Sequence, residues 1–362
     1  MTAPYVDVVI ACHDESRPIE RAVASVFADA DVRRDVRVTV VAHGLPAEPF
    51  RQRLSGMDGD VRVVSLVDGI RSAAGPFNHG LSLADGEYCA VMGSDDFLEP
   101  GAMAGWIRHA RAHRPDAVIA PLRIDGQTRM PNPLVRLGRR NRLDAAKDRL
   151  FYRTAPLGLI RTATMRAMGL RMVEGLPVGE DFEFSIRLFA TSSRVDLPAA
   201  PCYVIGTDAR ERTTHAPLPA EDVLRPLVRL LDDGVVAGLA EPHRRALAVK
   251  LIRVSVVGIA RGRDRGAWRD DAEVAFVAGV LRRLIAVAPG VLTPFNRQDR
   301  RVLDGLLREP TIDRVTGDAA RAASAGRRDR WLTPDVVHSL AREATLRRYL
   351  LYFLTRERKP RR

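Results

Sequence analysis

Two carboxylates stand side by side where an apolar run stops, in Tyr88-Cys89-Ala90-Val91-Met92-Gly93-Ser94-Asp95-Asp96-Phe97-Leu98-Glu99-Pro100. Tyr88 to Met92 has the composition of a buried strand, Gly93-Ser94 interrupts it, and Pro100 is placed to open a helix. That pattern predicts Asp95 and Asp96 at the carboxyl end of a strand, where open α/β sheets bind their ligands. Adjacent sheltered carboxylates repel, and proton uptake or a bound cation relieves the repulsion. Mg²⁺ or Mn²⁺ is commonly shared between one or two carboxylates and substrate phosphates, so a nucleotide diphosphate bridged by metal fits. The alternative is a solvated turn capping the helix that starts at Pro100.

Three more clusters have side chains suited to the same chemistry. Ala11-Cys12-His13-Asp14-Glu15-Ser16-Arg17-Pro18 follows the first apolar run. There Asp14 or Glu15 can accept ribose or base hydrogen bonds, while Ser16-Arg17-Pro18 reads as a helix start. No G-x-G-x-x-G is present, which disfavours a dinucleotide site. Gly179-Glu180-Asp181-Phe182 places a second acidic pair at a helix start, where the helix dipole favours carboxylates and where one could serve as general base. Asp208-Ala209-Arg210-Glu211-Arg212-Thr213-Thr214-His215 offers arginines for phosphate oxygens and a histidine able to bind metal.

The elements that must position these residues alternate through the first 216 positions. Strands are expected over 6–11, 36–42, 61–66, 88–92 and 117–121, and helices over 18–28, 47–55, 72–84, 100–113 and from 178. Alternation of this kind predicts a mainly parallel, twisted, Rossmann-like α/β sheet covered on both faces. Residues 125–148 are polar and Arg-rich and read as an excursion. From Leu218 strand signals vanish, and Pro217 and Pro219 mark a linker, so the domains expected are 1–216 and an all-α 217–362. In the helical part Leu247, Leu251, Val254 and Gly258 read as one face, Gly317 to Arg330 as a loop, and Thr333-Pro334 as the start of a helix carrying Val336 through Leu354.

Composition narrows the class. The 362 residues carry a formal charge of +12. Residues 1–216 hold 28 basic and 27 acidic side chains, against 29 and 18 in residues 217–362, so the excess belongs to the helical half. An anionic partner suits that half, but arginines spread through apolar helices without interleaved aromatics are a poor nucleic-acid signature. Cys12, Cys89 and Cys202 are too few and too scattered for a disulfide framework. No apolar run approaches membrane-spanning length, and the first strand begins too early for a secretory leader. A cytoplasmic protein is expected, with the inner face of the cell membrane as the other location open to it. The apolar, basic end of the chain suits peripheral membrane contact or a homo-oligomer interface.

In this order the landmarks resemble family-2 glycosyltransferases with the GT-A fold. The carriers are Val8 to Asp14, Phe77-Asn78-His79-Gly80, Gly86-Glu87-Tyr88, Ser94-Asp95-Asp96 and Glu180-Asp181. A helical module after such a domain is similar to the enzymes that decorate wall teichoic acids and related polymers. The resemblance implies an inverting, metal-dependent transfer from a nucleotide-diphosphate sugar, expected to be a UDP-sugar, to an acceptor hydroxyl of an anionic polymer, glycan or lipid-linked chain. It implies Asp181, beside Glu180, as catalytic base. Asp14, Glu15, His43, Asn78, Ser94, Arg210 and Arg212 become donor contacts, and Asp95, Asp96 and His215 the ligands of Mg²⁺ or Mn²⁺. Three positions depart from the family pattern: His43 and Gly93 stand where acidic residues are usual, and Phe77 where arginine often precedes the asparagine. A noncatalytic sugar- or polymer-binding protein and a nucleotidyltransferase are the alternatives. The acidic Asp14-Glu15 turn argues against the second, which needs a basic, Gly-rich loop for a triphosphate.

Overall fold

The computed structural model describes residues 3–208 and 218–356. By contact they divide into two units, one built from 3–144 and 153–208, the other from 145–152 and 218–355. The domain boundary expected at 216/217 lies outside the described residues.

In the first unit, β1 (Val6–Cys12) is apolar apart from Asp7 and almost wholly buried, as a central parallel strand requires. Strands β2 (Val36–His43) and β4 (Tyr88–Gly93) flank it in parallel, and β3 (Asp60–Leu66) lies beyond β2. Helices α1 (Ile19–Val26), α2 (Glu48–Leu54) and α3 (Ala74–Ser82) connect them. Buried Asp7 holds the turn into β4: it accepts from the N–H groups of Asp85 and Gly86, both at 2.8 Å, and from Arg37 Nε at 2.7 Å.

The chain continues through β5 (Phe97–Leu98), α4 (Ala102–His113), β6 (Ala117–Ile119), β7 (Leu122–Ile124), β8 (Arg129–Met130), β9 (Gly158–Arg161), α5 (Thr162–Ala167), α6 (Phe182–Thr191), β10 (Val195–Asp196) and β11 (Tyr203–Ile205). The main sheet has the order β10-β6-β9-β4-β1-β2-β3, with only β9 antiparallel to its neighbours. The mainly parallel α/β sheet is thus as expected. A second sheet, β5-β11-β7-β8, was not legible because its strands are only two or three residues long. The expected strand 117–121 is split between the two sheets at Ala120-Pro121. The Arg-rich excursion returns to the sheet, where Arg140 O and Leu143 N bond Leu197 N and Val195 O.

The second unit is helical: α7 (Ala220–Asp232), α8 (Glu241–Leu251), α9 (Val257–Gly262), α10 (Asp271–Val287), α11 (Arg297–Arg308), α12 (Ile312–Ala323), α13 (Arg327–Trp331) and α14 (Thr345–Thr355). Three local expectations fail here, each for a packing reason. A π-helical turn at Ile252–Val256 joins α8 to α9 and shifts the helix face by a residue. Leu247, Leu251 and Val256 are therefore buried, while Val254 is exposed and Gly258 has open space beside it.

The loop expected over 317–330 is mostly helix. Thr311 caps α12, and buried Asp318 accepts from Arg314 Nε at 2.8 Å and Arg321 Nη2 at 2.7 Å. Its carboxylate lies against Gly305, where a Cβ would collide with it. Small residues that read as loop are a helix-packing surface.

The single C-terminal helix is interrupted. Val336–Leu340 forms a 3₁₀ turn capped by Asp335, with Thr333 buried against Ser339 rather than capping. Residues 341–344 then turn so that Glu343 meets Arg149 and Arg348, each at 3.1 Å. Arg253 Nη1 donates to Tyr152 at 2.7 Å in the same cluster, which ties 145–152 into this unit. Among the described residues no helix is long and apolar enough to cross a membrane.

Candidate active site

The parallel strands β1 to β4 end on one edge of the sheet, and the residues just past those ends form the site. After β1, Asp14 folds into a local turn, its carboxylate accepting from Ser16 N–H and Ser16 Oγ at 2.8 Å each. Those bonds hold Asp14 below the usual carboxylate range. Arg53 on α2 pins this loop by donating to the carbonyls of Glu15 (2.5 Å) and Arg17 (3.1 Å), and it is itself held by both oxygens of Glu20. Glu15 is exposed.

After β2, His43 Nε2 sits 2.8 Å from Asp68 Oδ1 in the turn that follows β3. The acidic group missing after β2 is therefore present next door. Asp68 also accepts from Ile70 N–H, and these bonds, the histidine's foremost, keep its pKa below the ordinary value. A ligand-facing turn after a parallel strand was the available signal for Asp68.

After β4 the two aspartates part. Asp95 Oδ2 pairs with Arg17 Nη1 at 3.0 Å, and its backbone carbonyl accepts from Arg21 Nη2 at 2.5 Å. Arg21 is clamped by both oxygens of Asp208, at 2.6 and 2.9 Å, and stacks over the Phe97 ring. Asp96, expected as a second metal ligand, is turned into a structural latch. Its Oδ2 accepts from Tyr203 OH at 2.5 Å and its Oδ1 from Gly206 N–H at 2.9 Å, while the same phenol oxygen accepts from Gly93 N–H at 3.0 Å. Burial and the adjacent carboxylate push the Tyr203 pKa well up, so it stays a neutral donor.

The latch explains two glycines. A Cβ on Gly93 would meet Asp96 Oδ2 at 2.6 Å and Asp95 Oδ1 at 3.3 Å, so a side chain there would have to displace the Asp96 carboxylate from Tyr203 and Gly206. A Cβ on Gly206 would overlap the Asp95 carbonyl oxygen. Ser94, expected as a donor contact, is buried beside the Cys12 thiol.

The second acidic pair is tied to α3. Asn78, also expected to touch the donor, is buried. Its amide pairs with Met172 N–H and C=O, both at 2.9 Å, and with Glu174 Oε1 at 2.9 Å. Val173 N–H then bonds Glu180 C=O at 2.9 Å, and Gly179, at φ +73°, turns the chain into α6. Asp181 occupies the N-cap position, yet its side chain makes no capping hydrogen bond. Glu180 is half-buried, and burial raises its pKa. Asn78 thus positions the segment bearing Glu180-Asp181. Arg210, Arg212 and His215 lie outside the described residues.

Among the described residues no three His, Cys, Asp or Glu side chains come together as a metal cage. Asp95, with Oδ2 on Arg17 and Oδ1 toward Gly93, suits a cation held through one carboxylate and the oxygens of a bound diphosphate. Sequence reasoning missed Arg17, Tyr203 and Asp68 as parts of this site.

The glycosyl transferase family 2 model matches residues 7–172. Poly(ribitol-phosphate) beta-N-acetylglucosaminyltransferase TarP of Staphylococcus aureus (strain N315) is 20% identical over 212 residues, which make up 58% of this chain and 65% of that protein. Among solved structures, S. aureus TarS 1–349 in complex with UDP-GlcNAc matches with TM-score 0.71 and 16% identity, covering 88% of this chain and 91% of that one. Mannosyltransferase PcManGT of Pyrobaculum calidifontis with GDP-Man and Mn²⁺ matches at 0.50 and 13%, covering 89% and 88%. The sheet order, the ligand edge and the likeness to TarS agree on a GT-A fold followed by a helical region, and over residues 7–172 the chain resembles glycosyl transferase family 2.

Proposed function

We propose that the protein is an inverting glycosyltransferase that moves a sugar from a UDP-sugar to a hydroxyl of an anionic, teichoic-acid-like polymer, with residues 1–216 as the donor-binding domain and the basic 217–362 facing the acceptor. The observation that carries this reading is the row of acidic groups past the ends of parallel strands, Asp14, the His43–Asp68 pair and Asp95, in a family-2 domain. Support for the donor and acceptor classes comes from the names of the relatives TarS and TarP.

In the reaction, Asp181 accepts the proton of the acceptor hydroxyl as its oxygen bonds the anomeric carbon from the face opposite the diphosphate. The carbon–oxygen bond to the diphosphate breaks, and configuration inverts. A divalent cation, Mg²⁺ or Mn²⁺, held through Asp95 and the diphosphate oxygens would neutralise charge on the leaving group. Asn78, through Met172 and Glu174, keeps the Asp181 segment in place, and Asp14 would accept from a ribose or base. The net +11 charge of residues 217–362 raises the local concentration of a phosphate-bearing acceptor. On α14, exposed Leu350, Phe353 and Leu354 beside Arg347 suit peripheral contact with an anionic membrane.

Calorimetry with UDP, GDP and CDP, with and without Mn²⁺, tests the donor site. Mn²⁺-dependent UDP binding that Asp95→Ala abolishes is expected, and no nucleotide binding at all would overturn the transferase reading. Co-sedimentation with vesicles containing anionic lipid tests α14: a monomer that stays in the supernatant, or a homo-oligomer that buries these residues, overturns the membrane contact.

A further inference from the structure

The second unit carries a cleft of about 120 Å³ that has no part in the donor site, lying between α8, residues 293–294 and the turn 341–343. Its floor is apolar, made by Pro242, Ala246 and Val249 of α8 with Pro294 and Ala341. Two exposed arginines, Arg245 and Arg342, complete the wall. Among the described residues neither pairs with a carboxylate. Arg245 uses only Nη2, on Gly290 O at 3.1 Å and Thr293 Oγ1 at 3.0 Å, which holds the guanidinium in place and leaves its other N–H groups open. Arg342 is fixed through its backbone, its carbonyl accepting from Arg149 Nη2 at 2.5 Å. The one carboxylate in the wall, Glu343, does not set the sign of the cleft, because Arg149 and Arg348 lie 3.1 Å from it and Arg253 3.6 Å.

Two guanidiniums without carboxylates, at the edge of an apolar floor, select an anion that carries carbon on both sides. The planar guanidinium fork matches phosphate oxygens. A free phosphate ion loses hydration and gains nothing from proline, alanine and valine, whereas the ester carbons of a phosphodiester bury against them. We propose that this cleft binds a phosphodiester of the anionic acceptor polymer, with Arg245 and Arg342 on the phosphate oxygens and the flanking carbons on the apolar floor. Every residue of the cleft belongs to the second unit, where the basic excess lies. A repeating polymer is then held at a defined point and not by diffuse charge alone. The inference rests on the acceptor class proposed above and gives it a location.

The test is the fluorescence anisotropy of a labelled glycerol-phosphate oligomer titrated with the full chain. Arg245→Gln and Arg342→Gln should each weaken binding about tenfold, as loss of a charge-assisted contact does. Ala246→Phe, which fills the cleft and leaves every charge in place, should weaken it as much. Arg327→Gln, which removes an exposed arginine outside the cleft, should stay near the wild type. Equal losses in Arg245→Gln and Arg327→Gln overturn the proposal in favour of diffuse charge, and wild-type binding by a folded Ala246→Phe overturns it because the cleft is then unused. Should Ala246→Phe not fold, Ala341→Leu narrows the cleft from another wall and carries the same expectation. Inorganic phosphate that displaces the oligomer at equal phosphate concentration, or binding only to phosphatidylglycerol vesicles through these arginines, overturns the polymer as ligand. A wild type that binds UDP but no oligomer ends this inference and leaves the transferase reading standing, whereas one that binds the oligomer but no UDP sinks the donor site and leaves the cleft.

Discussion

The two acidic pairs, Asp95-Asp96 and Glu180-Asp181, look alike as sequence and differ in almost every physical respect. The first is relieved of its repulsion by separation: Asp95 goes to a buried arginine, Asp96 to a phenol and a backbone N–H. The second stays together at the start of α6, where Glu180 is sheltered enough for its pKa to rise and Asp181 makes no cap. Adjacent side chains in a turn point apart, and whether they share a ligand depends on what each finds. The first pair is split between two sets of partners, whereas the second stays side by side at the entrance to a helix.

The contrast can be broken most severely at Asp181. Asp181→Asn should lower the rate of sugar transfer by about 10²–10⁴-fold, the span for a lost general base, with UDP affinity nearly unchanged. An unimpaired rate in a single-turnover assay would end its assignment as base. Within the first pair, Asp95→Ala should cost donor binding in Mn²⁺ roughly tenfold or more, whereas Asp96→Asn should cost mainly stability, because both Asp96 oxygens are held by Tyr203 and Gly206. Equal losses of UDP affinity in isothermal titrations would contradict that division of labour. Tyr203→Phe should lower unfolding free energy by about 1–3 kcal/mol, since it leaves the Gly93 N–H and the Asp96 carboxylate short of a partner. A denaturation midpoint equal to that of the wild type would refute the latch.

The smallest effect concerns pH. Because burial raises the folded-state pKa of Glu180, its contribution to stability is fully present below the unfolded value near 4.5 and is lost as pH rises through the raised value. Glu180→Gln does not titrate, so its melting temperature should match the wild type at low pH and exceed it slightly at neutral pH. A difference independent of pH would show that Glu180 is not sheltered.

Much of the frame was legible. Val6 to Cys12 is apolar except for Asp7, as a strand buried on both faces requires, and Gly93-Ser94 interrupts the apolar run of β4. What failed were readings that need a neighbour. Gly317 and its small flanks looked like loop because the Asp318 carboxylate they admit against Gly305 is a contact with another helix. Val254 looked buried because a π turn leaves no trace in helical periodicity. Asn78 looked like a donor contact because nothing nearby shows that it pairs with Met172, 94 residues away.

The sequence by itself determined the alternation of strands and helices, the acidic turns at strand ends and the basic character of the second half. These follow from backbone propensity, periodicity and charge, which act between residues close in the chain. Only the tertiary structure decided which partners each of the two adjacent carboxylates finds. That choice is made by Arg21 reaching Asp95 across 74 residues, by Tyr203 reaching Asp96 across 107 and by Arg17 closing over Asp95, contacts that exist only once the sheet has brought the loops together.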